Sequence, residues 1–350
     1  MASLWTKFND IKQINMINVP DGLSPKQVKV KYPDADIISS LAMFVLSNGL
    51  NFVRFEDENV KGGYLGASEG IGIKGKKELV WCTYLDAYNS IEIRDFCAGF
   101  PAIVKDGKEN IDWGNKYSSY IDGTHKRLLI GFNNDYMVIC ATDYKITLKS
   151  AARVMIGFGC KYAINCDGGE WSPHLQIGNK IIRQGYRKNP TWLLIYLDKR
   201  QLFAEYVKSK KGCDYIWAAN GEIFTLAKLK SYINWFGIKH YISSKFNATK
   251  NAMNDIPDFD CSGLMVAGMR EYNIISEKAD YTAEKLLKYK CYEIAKNILQ
   301  NGDLLFRGNP AYHVGMYYNG EVIHAKGTAH GVVQEDVVDT FTRFGRLKGL

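Results

Sequence analysis

Histidine is scarce in this chain, with 6 in 350 residues, and several common signatures are missing altogether. The 8 cysteines contain no Cys-x-x-Cys pair and no compact spacing, which argues against a zinc ribbon or a disulfide-stapled scaffold. Cys82, Cys140 and Cys166 sit inside apolar runs, where a reduced core cysteine is the ordinary outcome. A chain made in a reducing compartment is therefore expected. Met1-Ala2-Ser3-Leu4-Trp5-Thr6-Lys7 shows neither a charged n-region nor a continuous apolar stretch, so no secretory leader is expected. No apolar run reaches the ~20 residues of a membrane helix, which excludes membrane insertion by that route. No phosphate-binding glycine loop, dinucleotide fingerprint or zinc-ligand spacing occurs, so neither metal nor cofactor is expected. The net charge is +8, yet no basic block accompanies it, and nucleic acid is not an expected partner. His125 and His174 stand alone and read as surface residues. There is no internal repeat, and no Gly/Ser-rich linker.

What remains is enough for two domains of ordinary size. Asp198-Lys199-Arg200 ends an apolar run and is the expected boundary, giving domains 1–198 and 199–350. Apolar residues make up 46% and charged residues 23%, so both halves should be globular. Aromatics reach 13%, with 22 tyrosines, a composition suited to stacking on carbohydrate.

The C-terminal half is organised around Phe259-Asp260-Cys261-Ser262-Gly263-Leu264-Met265. It reads as a strand feeding a helix whose first turn carries the thiol of Cys261. Unpaired N–H groups and the helix dipole favour a thiolate there, and the thiolate is the nucleophilic form. Taken alone, such a cysteine is more often a structural core residue. Downstream, Asn319-Gly320 lies between two apolar runs, the strongest short hairpin signal. A two-residue turn would pair Tyr318 with Glu321, Met316 with Ile323 and Gly315 with His324. His313 and His324 then share one face as diagonal neighbours, roughly 5–8 Å apart at Cβ. Gly315 between them leaves room for the rings. One imidazole can act as base to a thiol while the other orients it.

Asp260-Cys261-Ser262-Gly263, Asn301-Gly302-Asp303-Leu304-Leu305-Phe306, His313-Val314-Gly315-Met316-Tyr317 and Ile323-His324-Ala325 together resemble the NlpC-type cell-wall cysteine peptidases. Gly212-Cys213-Asp214-Tyr215-Ile216-Trp217-Ala218 resembles that family's upstream Gly-x-x-Tyr-x-Trp-Gly segment, with Ala218 where a glycine is usual. The resemblance spans about residues 201–350. It implies a papain-like fold with Cys261 as nucleophile, His313 as base and His324 as the residue that holds it. It also implies that Tyr215 and Ser262 lie beside the substrate. Helices are expected at Leu202–Lys208, Leu226–Phe236, from Cys261 onward, and at Thr282–Leu299. Closing strands are expected at Val332-Val333, Val337-Val338 and Phe341. Residues 226–250 read as an insertion with a mobile loop, and its Trp235, Lys239, Tyr241 and Lys245 would suit a cleft wall or an ordinary surface.

The N-terminal half shows few periodic features over residues 1–27, with a turn at Asn18-Val19-Pro20-Asp21-Gly22. Short strands follow at Ile37-Ile38, Asn51–Phe55, Glu78–Thr83, Ser90–Ile93, Leu128–Phe132, Met137–Ala141, Tyr162–Cys166 and Trp192–Leu197. Gln176–Ile182 reads as a hairpin. Thr147 opens a helix with the apolar stripe Leu148, Ala151, Ala152, Met155 and Phe158. The whole reads as α+β with a mixed sheet. Asp167-Gly168-Gly169 at a strand end can be an acid, a base, a metal ligand or an ordinary turn.

Gly99–Lys108, Lys126–Phe132, the Thr147 helix and Ala163–Gly169 resemble the phosphodiester glycosidase family, which includes the lysosomal uncovering enzyme. The resemblance covers about residues 28–198. It implies Arg127 and Asp167 as site residues, with Asn165, Gly168 and Gly169 lining the pocket, and an arginine fork suits a phosphodiester. Glu170-Trp171-Ser172 and Ser39–Phe44 depart from the family's pattern. The two resemblances together imply a bacterial cell-wall hydrolase whose partners are peptidoglycan and teichoic acid or another wall glycan. A wall enzyme without a leader resembles a phage lysin or tail-associated hydrolase, made in the cytoplasm and acting at the wall, with tail proteins as further partners. The mildly basic charge suits an anionic wall. The competing readings are a non-enzymatic tail or wall-binding module, an amidase or acyltransferase on the papain-like fold, and a sugar phosphodiester glycosidase as the main activity.

Overall fold

Alternation governs the N-terminal half. Leu128, Ile130 and Phe132 point to one side of their strand and Leu129 to the other, and both sides are buried. The neighbouring strand does the same, with Met137, Ile139 and Ala141 on one face and Val138 and Cys140 on the other. The side chain of Asn133 ties the connecting turn, accepting from the N–H groups of Asp135 at 2.9 Å and Tyr136 at 3.0 Å. The computed structural model describes residues 2–41, 53–55, 58–60, 69–110, 123–241 and 249–350. They form two units, Met1–Leu197 and Asp198–Leu350, both α+β.

Among its described residues the first unit holds three sheets. One runs Ala2–Lys7, Tyr136–Ala141, Leu128–Phe132, Tyr162–Asn165, Ala102–Lys105, Lys108–Glu109. The second runs Lys180–Arg183, Leu175–Ile177, Ile37–Ser40, Asn189–Leu197, Ile11–Leu23, and the third is built on Val53–Phe55, Glu58–Val60, Glu69–Lys74, Glu78–Thr83 and Ile93–Ala98. A shared core joins Ile14, Met16, Ile71, Ile130, Ile139 and Leu193. The helix Leu148–Gly157 covers the other face of the first sheet with Leu148, Ala151, Ala152 and Met155. Its cap is Thr147, which accepts from Ser150 N–H at 3.1 Å.

Several expectations need correction here. All described pairings in this unit are antiparallel, both in hairpins such as Leu128–Phe132 with Tyr136–Ala141 and between strands far apart in sequence such as Ile11–Leu23 with Asn189–Leu197. Residues 1–27 are not featureless but form the strands Ala2–Lys7 and Ile11–Leu23. Ile11–Leu23 is held by pairing with Asn189–Leu197, a partner more than 160 residues away. The expected turn at Asn18–Gly22 lies inside that strand as a register irregularity, where Asn18 pairs with Thr191 and Leu23 with Asn189. Ser90–Ile93 is only the approach to a strand at Ile93–Ala98. His174 is fully buried, not at the surface. Its Nδ1 accepts from Gly185 N–H at 3.3 Å, its Nε2 lies 3.3 Å from Gln176 Oε1, and its ring packs edge-on against Trp192. Ala42–Phe44, Asn51 and Lys245 lie outside the described residues.

The second unit is a six-stranded antiparallel sheet with a buried helix against it. The order is Cys291–Glu293, Arg343–Leu347, Leu304–Arg307, His313–Tyr318, Glu321–Gly327, Gly331–Glu335. Asn319 (φ 50°) and Gly320 (φ 91°) both adopt the left-handed region that a two-residue hairpin turn requires. The turn sets Tyr318 opposite Glu321 and Met316 opposite Ile323. The helix Cys261–Glu271 is apolar nearly all round, and Leu264, Met265, Val266 and Met269 join Leu304, Phe306, Val314, Met316 and Ile323 in one core. Phe203, Ala204 and Val207 of the helix Lys199–Ser209 complete it. Leu226–Phe236 is helical, capped by Thr225. Thr282–Leu299 is not one helix. A turn at Ala283–Lys285 and a wider one at Leu286–Lys290 lead into the strand Cys291–Glu293, because pairing with Arg343–Leu347 at the sheet edge outweighs local helical preference. Val338–Thr340 is a 3-10 turn and the closing strand is Arg343–Leu347.

The short strand Pro257–Phe259 delivers the chain to Cys261, and it carries an expensive residue. Asp258 is fully buried, and neither carboxylate oxygen has a hydrogen-bond partner. Burial, then the charges of Asp214 and Glu222, push its carboxyl up to about 7. A carboxyl held up in the folded state adds stability below its unfolded pKa, and that contribution is lost as pH rises to about 7. Asp258→Asn should therefore be more stable than wild type at pH 8 by up to on the order of 3 kcal/mol and equal to it near pH 4. Urea unfolding at the two pH values measures this, and a difference that ignores pH would contradict it.

Candidate active site

Asp260 holds the start of the Cys261 helix. Its Oδ1 accepts from Gly263 N–H at 2.6 Å and from the Ser262 hydroxyl at 3.0 Å, and its Oδ2 accepts from Ala218 N–H at 3.0 Å. Its own N–H donates to Ala219 O at 2.8 Å. One side chain thus caps the helix and ties it to the Tyr215–Ala219 segment. Gly263 permits this approach, since a Cβ there would lie 1.9 Å from Ala219 O. Ala218 sits at φ 65°, a conformation that favours glycine. Cys261 is the first residue of the helix, and it is partly buried against the core. The N–H groups of Val314, Ser262 and Cys261 itself lie near enough to the sulfur to favour its charged form. Val314 follows His313, so this contact brings the helix start against the histidine strand.

His313 Nε2 lies 2.7 Å from His324 Nδ1, with the rings edge-to-face and 5.0 Å apart. Gly315 makes room for them, because a Cβ there would lie 3.1 Å from His324 Cβ and 2.5 Å from a Val322 methyl. Phe341 packs 6.0 Å from the His313 ring and 5.9 Å from that of His324. The Arg307 guanidinium lies over the other part of that phenyl, 4.3 Å from its centre. Tyr215 bridges to Phe259 and lies close to Cys261. Burial, then the neighbouring Cys261 and Asp260, keep its phenol protonated. Beyond the histidines stands Glu335, with Oε2 3.5 Å from His324 Nε2.

The electrostatics correct one expectation. Burial pushes the Cys261 thiol up to about 12, and the charge of Asp260 adds to this, outweighing the N–H groups at the helix start. Burial, then His324 and Arg307, hold His313 down to about 3. Both shifts favour the neutral forms, a thiol and an imidazole. Such a pair can still form a nucleophile if the imidazole takes the proton as sulfur attacks.

The candidate residues of the first unit occupy a different setting. Arg127 is buried, and its guanidinium donates to the carbonyls of Gly123 at 2.6 Å and Ile146 at 3.3 Å. Its fork is therefore partly engaged by backbone. Asn165 is buried, with Nδ2 donating to Phe100 O and Oδ1 without a partner. Asp167 is also buried, with Oδ2 unpartnered. Burial raises its carboxyl to about 6, opposed by Ser172, Arg187 and Gly168 N–H. Gly168 passes close to Lys126, where a Cβ would lie 2.6 Å from the carbonyl, and Gly169 turns at φ 90° beside open space. Two orphaned oxygens, two residues apart on one strand end, can receive donors from a polar ligand. Among the described residues no three side chains form a metal-holding group.

The sequence offered no reason to single out Glu335 or Arg307, and marked Phe341 only as part of a closing strand. Glu335 could have been found only from the register of the next strand, which shifts near Ala325 and Gly327.

Residues 245–343 match the family model of the NlpC/P60 family, and residues 39–196 match that of phosphodiester glycosidase. No curated protein matches the chain. Among solved structures, the catalytic domain of zebrafish N-acetylglucosamine-1-phosphodiester alpha-N-acetylglucosaminidase, auto-inhibited by its pro-peptide, is similar at 12% identity. It covers 56% of this chain and 82% of its own, with a TM-score of 0.46. The NlpC/p60 domain of the peptidoglycan hydrolase SagA is similar at 18% identity, covering 42% of this chain and 98% of its own, with a TM-score of 0.28. RipD from Mycobacterium tuberculosis, a non-catalytic NlpC/p60 domain protein adapted to peptidoglycan binding, is similar at 16% identity. It covers 44% of this chain and 100% of its own, with a TM-score of 0.29. The chain thus carries a domain of the phosphodiester glycosidase type followed by one of the NlpC/P60 type.

Proposed function

We propose that residues 199–350 form a cysteine peptidase acting on the stem peptide of bacterial peptidoglycan, with Cys261 as nucleophile, His313 as base and His324 as its holder. The observation that carries this reading is the thiol at a helix start, close to the N–H that follows His313, with that histidine hydrogen-bonded to His324. Because burial favours the neutral thiol and imidazole, the Cys261 proton passes to His313 as sulfur attacks the carbonyl carbon. The N–H of Cys261 and the protonated phenol of Tyr215 are donors for the oxyanion. The carbon–nitrogen bond then breaks, and His313 returns the proton to the leaving amine. Water, deprotonated by His313, attacks the thioester and frees the cysteine. Ser262 stays bonded to Asp260 and lines the entry. The bond after D-glutamate is the favoured one in this reading.

A second activity is proposed for residues 1–198 on a separate observation, the unpartnered oxygens of Asn165 and Asp167 in a buried carboxyl setting. Asp167, held near pH 6, suits a general acid for a sugar phosphodiester such as wall teichoic acid, with Arg127, Gly168 and Gly169 around it. The two activities together describe a wall-degrading protein of the phage lysin or tail-associated kind, made in the cytoplasm and acting at the wall.

Incubating the full chain with purified Gram-positive walls, then reading released fragments by mass spectrometry, tests both. Peptide fragments with new amino groups support the peptidase. Release of sugar or phosphate alone moves the activity to the first unit and removes the peptidase reading. No release at all leaves the wall-binding or structural reading in its place.

A further inference from the structure

Glu335 belongs to the strand Gly331–Glu335, which pairs with Glu321–Gly327 so that Val333 lies opposite His324 and Glu335 opposite Val322. Val322 and His324 share a face, and so Glu335 is the diagonal neighbour of His324 across the strands. His324 is fully buried. Its Nδ1 faces His313 at 2.7 Å. Its Nε2 has no conventional hydrogen bond, and the nearest charged oxygen is Glu335 Oε2 at 3.5 Å. Glu335 is partly exposed, and Lys326 binds both its oxygens, at 2.7 and 3.1 Å.

A buried neutral imidazole carries one proton, on one nitrogen or the other. A bare Nε2 lone pair 3.5 Å from a carboxylate oxygen would be repelled, whereas an Nε2–H would be attracted. With the proton on Nε2, His324 Nδ1 must accept, so His313 Nε2 must donate across the 2.7 Å contact. That leaves His313 Nδ1 as the unprotonated nitrogen, free to take a proton from sulfur. The opposite tautomer of His324 would make His313 Nε2 an acceptor and put the His313 proton on Nδ1, where it cannot serve as base.

We propose that Glu335 is a positioning residue that holds His324 as its Nε2–H tautomer and thereby keeps His313 Nδ1 free as the base for Cys261. The proposal rests on the assignment of Cys261 and His313 as nucleophile and base, and it adds a fourth member to that set. Glu335 touches neither sulfur nor substrate and acts only through His324.

Two substrate-independent readouts test it on the full chain. The first is the nitrogen chemical shifts of His313 and His324 by ¹⁵N NMR, which separate the two tautomers. The second is the rate of Cys261 alkylation by iodoacetamide as a function of pH, read at that site by peptide mass spectrometry. Wild type should show His324 protonated on Nε2. In Glu335→Ala the tautomers should mix and alkylation at neutral pH should slow by about 10–100-fold, the range found when the hydrogen-bond partner that orients a metal-bound imidazole is lost. Glu335→Gln keeps an acceptor oxygen of equal reach and should recover part of that loss. Lys326→Ala removes the exposed ion pair but leaves the carboxylate, and should behave as wild type. A wild-type His324 protonated on Nδ1 would overturn the proposal, as would an unchanged tautomer and rate in Glu335→Ala. So would a Lys326→Ala variant that reproduces the loss, which would assign the effect to the ion pair. Walls left intact by a protein with the expected Glu335 dependence would count against the peptidoglycan substrate and not against the positioning role.

Discussion

Cys261→Ala is expected to abolish release of peptide fragments from purified cell walls, a loss of at least about 10³-fold, with folding essentially unchanged. The size follows from the role. No other free cysteine stands at a helix start beside a histidine pair, since Cys213 and Cys291 are buried within the second unit's core. Stability should change little because the residue is small and partly exposed, and its neighbours are held by Asp260 rather than by the thiol. Turbidity of a wall suspension and a thermal melt, measured on the same preparation, check both halves of the statement. Retained peptide release in Cys261→Ala would remove the thiol from the mechanism. Sugar release that survives in the variant would instead belong to the Asp167 site. The pH profile adds a second check. A neutral thiol–imidazole pair, with the thiol pushed up to about 12 and His313 held down to about 3, should leave no ionisation of that pair between pH 5 and 9.

The second large effect concerns folding. Gly263→Ala should destabilise the second unit by at least about 3 kcal/mol, lowering its melting temperature by roughly 6–12 °C. A Cβ at this position would sit 1.9 Å from Ala219 O and 2.9 Å from Asn220 Oδ1. The carbonyl cannot swing aside freely, because it accepts the Asp260 N–H at 2.8 Å. Relief therefore has to break the tie that positions Cys261, and activity should fall with stability. Gly157→Ala is the matching control. Nothing lies within 4 Å of its added Cβ at the end of the Leu148–Gly157 helix, so the change should be neutral or stabilising by up to about 1 kcal/mol. Circular dichroism melts of the two variants decide the matter, and equal effects would contradict the steric account.

Glu335 and Asp258 show that the neighbours of Cys261, His313 and His324 are set differently from those residues themselves. Asp258, on the short strand that precedes Cys261, is buried without a partner. Glu335 reaches His324 only because a third strand is laid beside the hairpin. Neither carries a local signature.

What the amino-acid order determines by itself is what depends on near neighbours. Asn319-Gly320 demands a two-residue turn because both residues accept positive φ, and that turn puts His313 and His324 on one face. Thr147 and the stripe Leu148, Ala151, Ala152 and Met155 specify a helix because cap and periodicity lie within four turns. Leu226–Phe236 is legible for the same reason. Tertiary structure decides the rest. Cys291–Glu293 is a strand because Arg343–Leu347 offers an open edge, and Ile11–Leu23 is one because Asn189–Leu197 does. His174 is buried because Gly185 and Gln176 meet its ring nitrogens. The protonation of Cys261 is decided in the same way. The helix start that favours a thiolate is written in the sequence, but the burial that overrides it comes from residues brought together by folding, and desolvation is the larger effect.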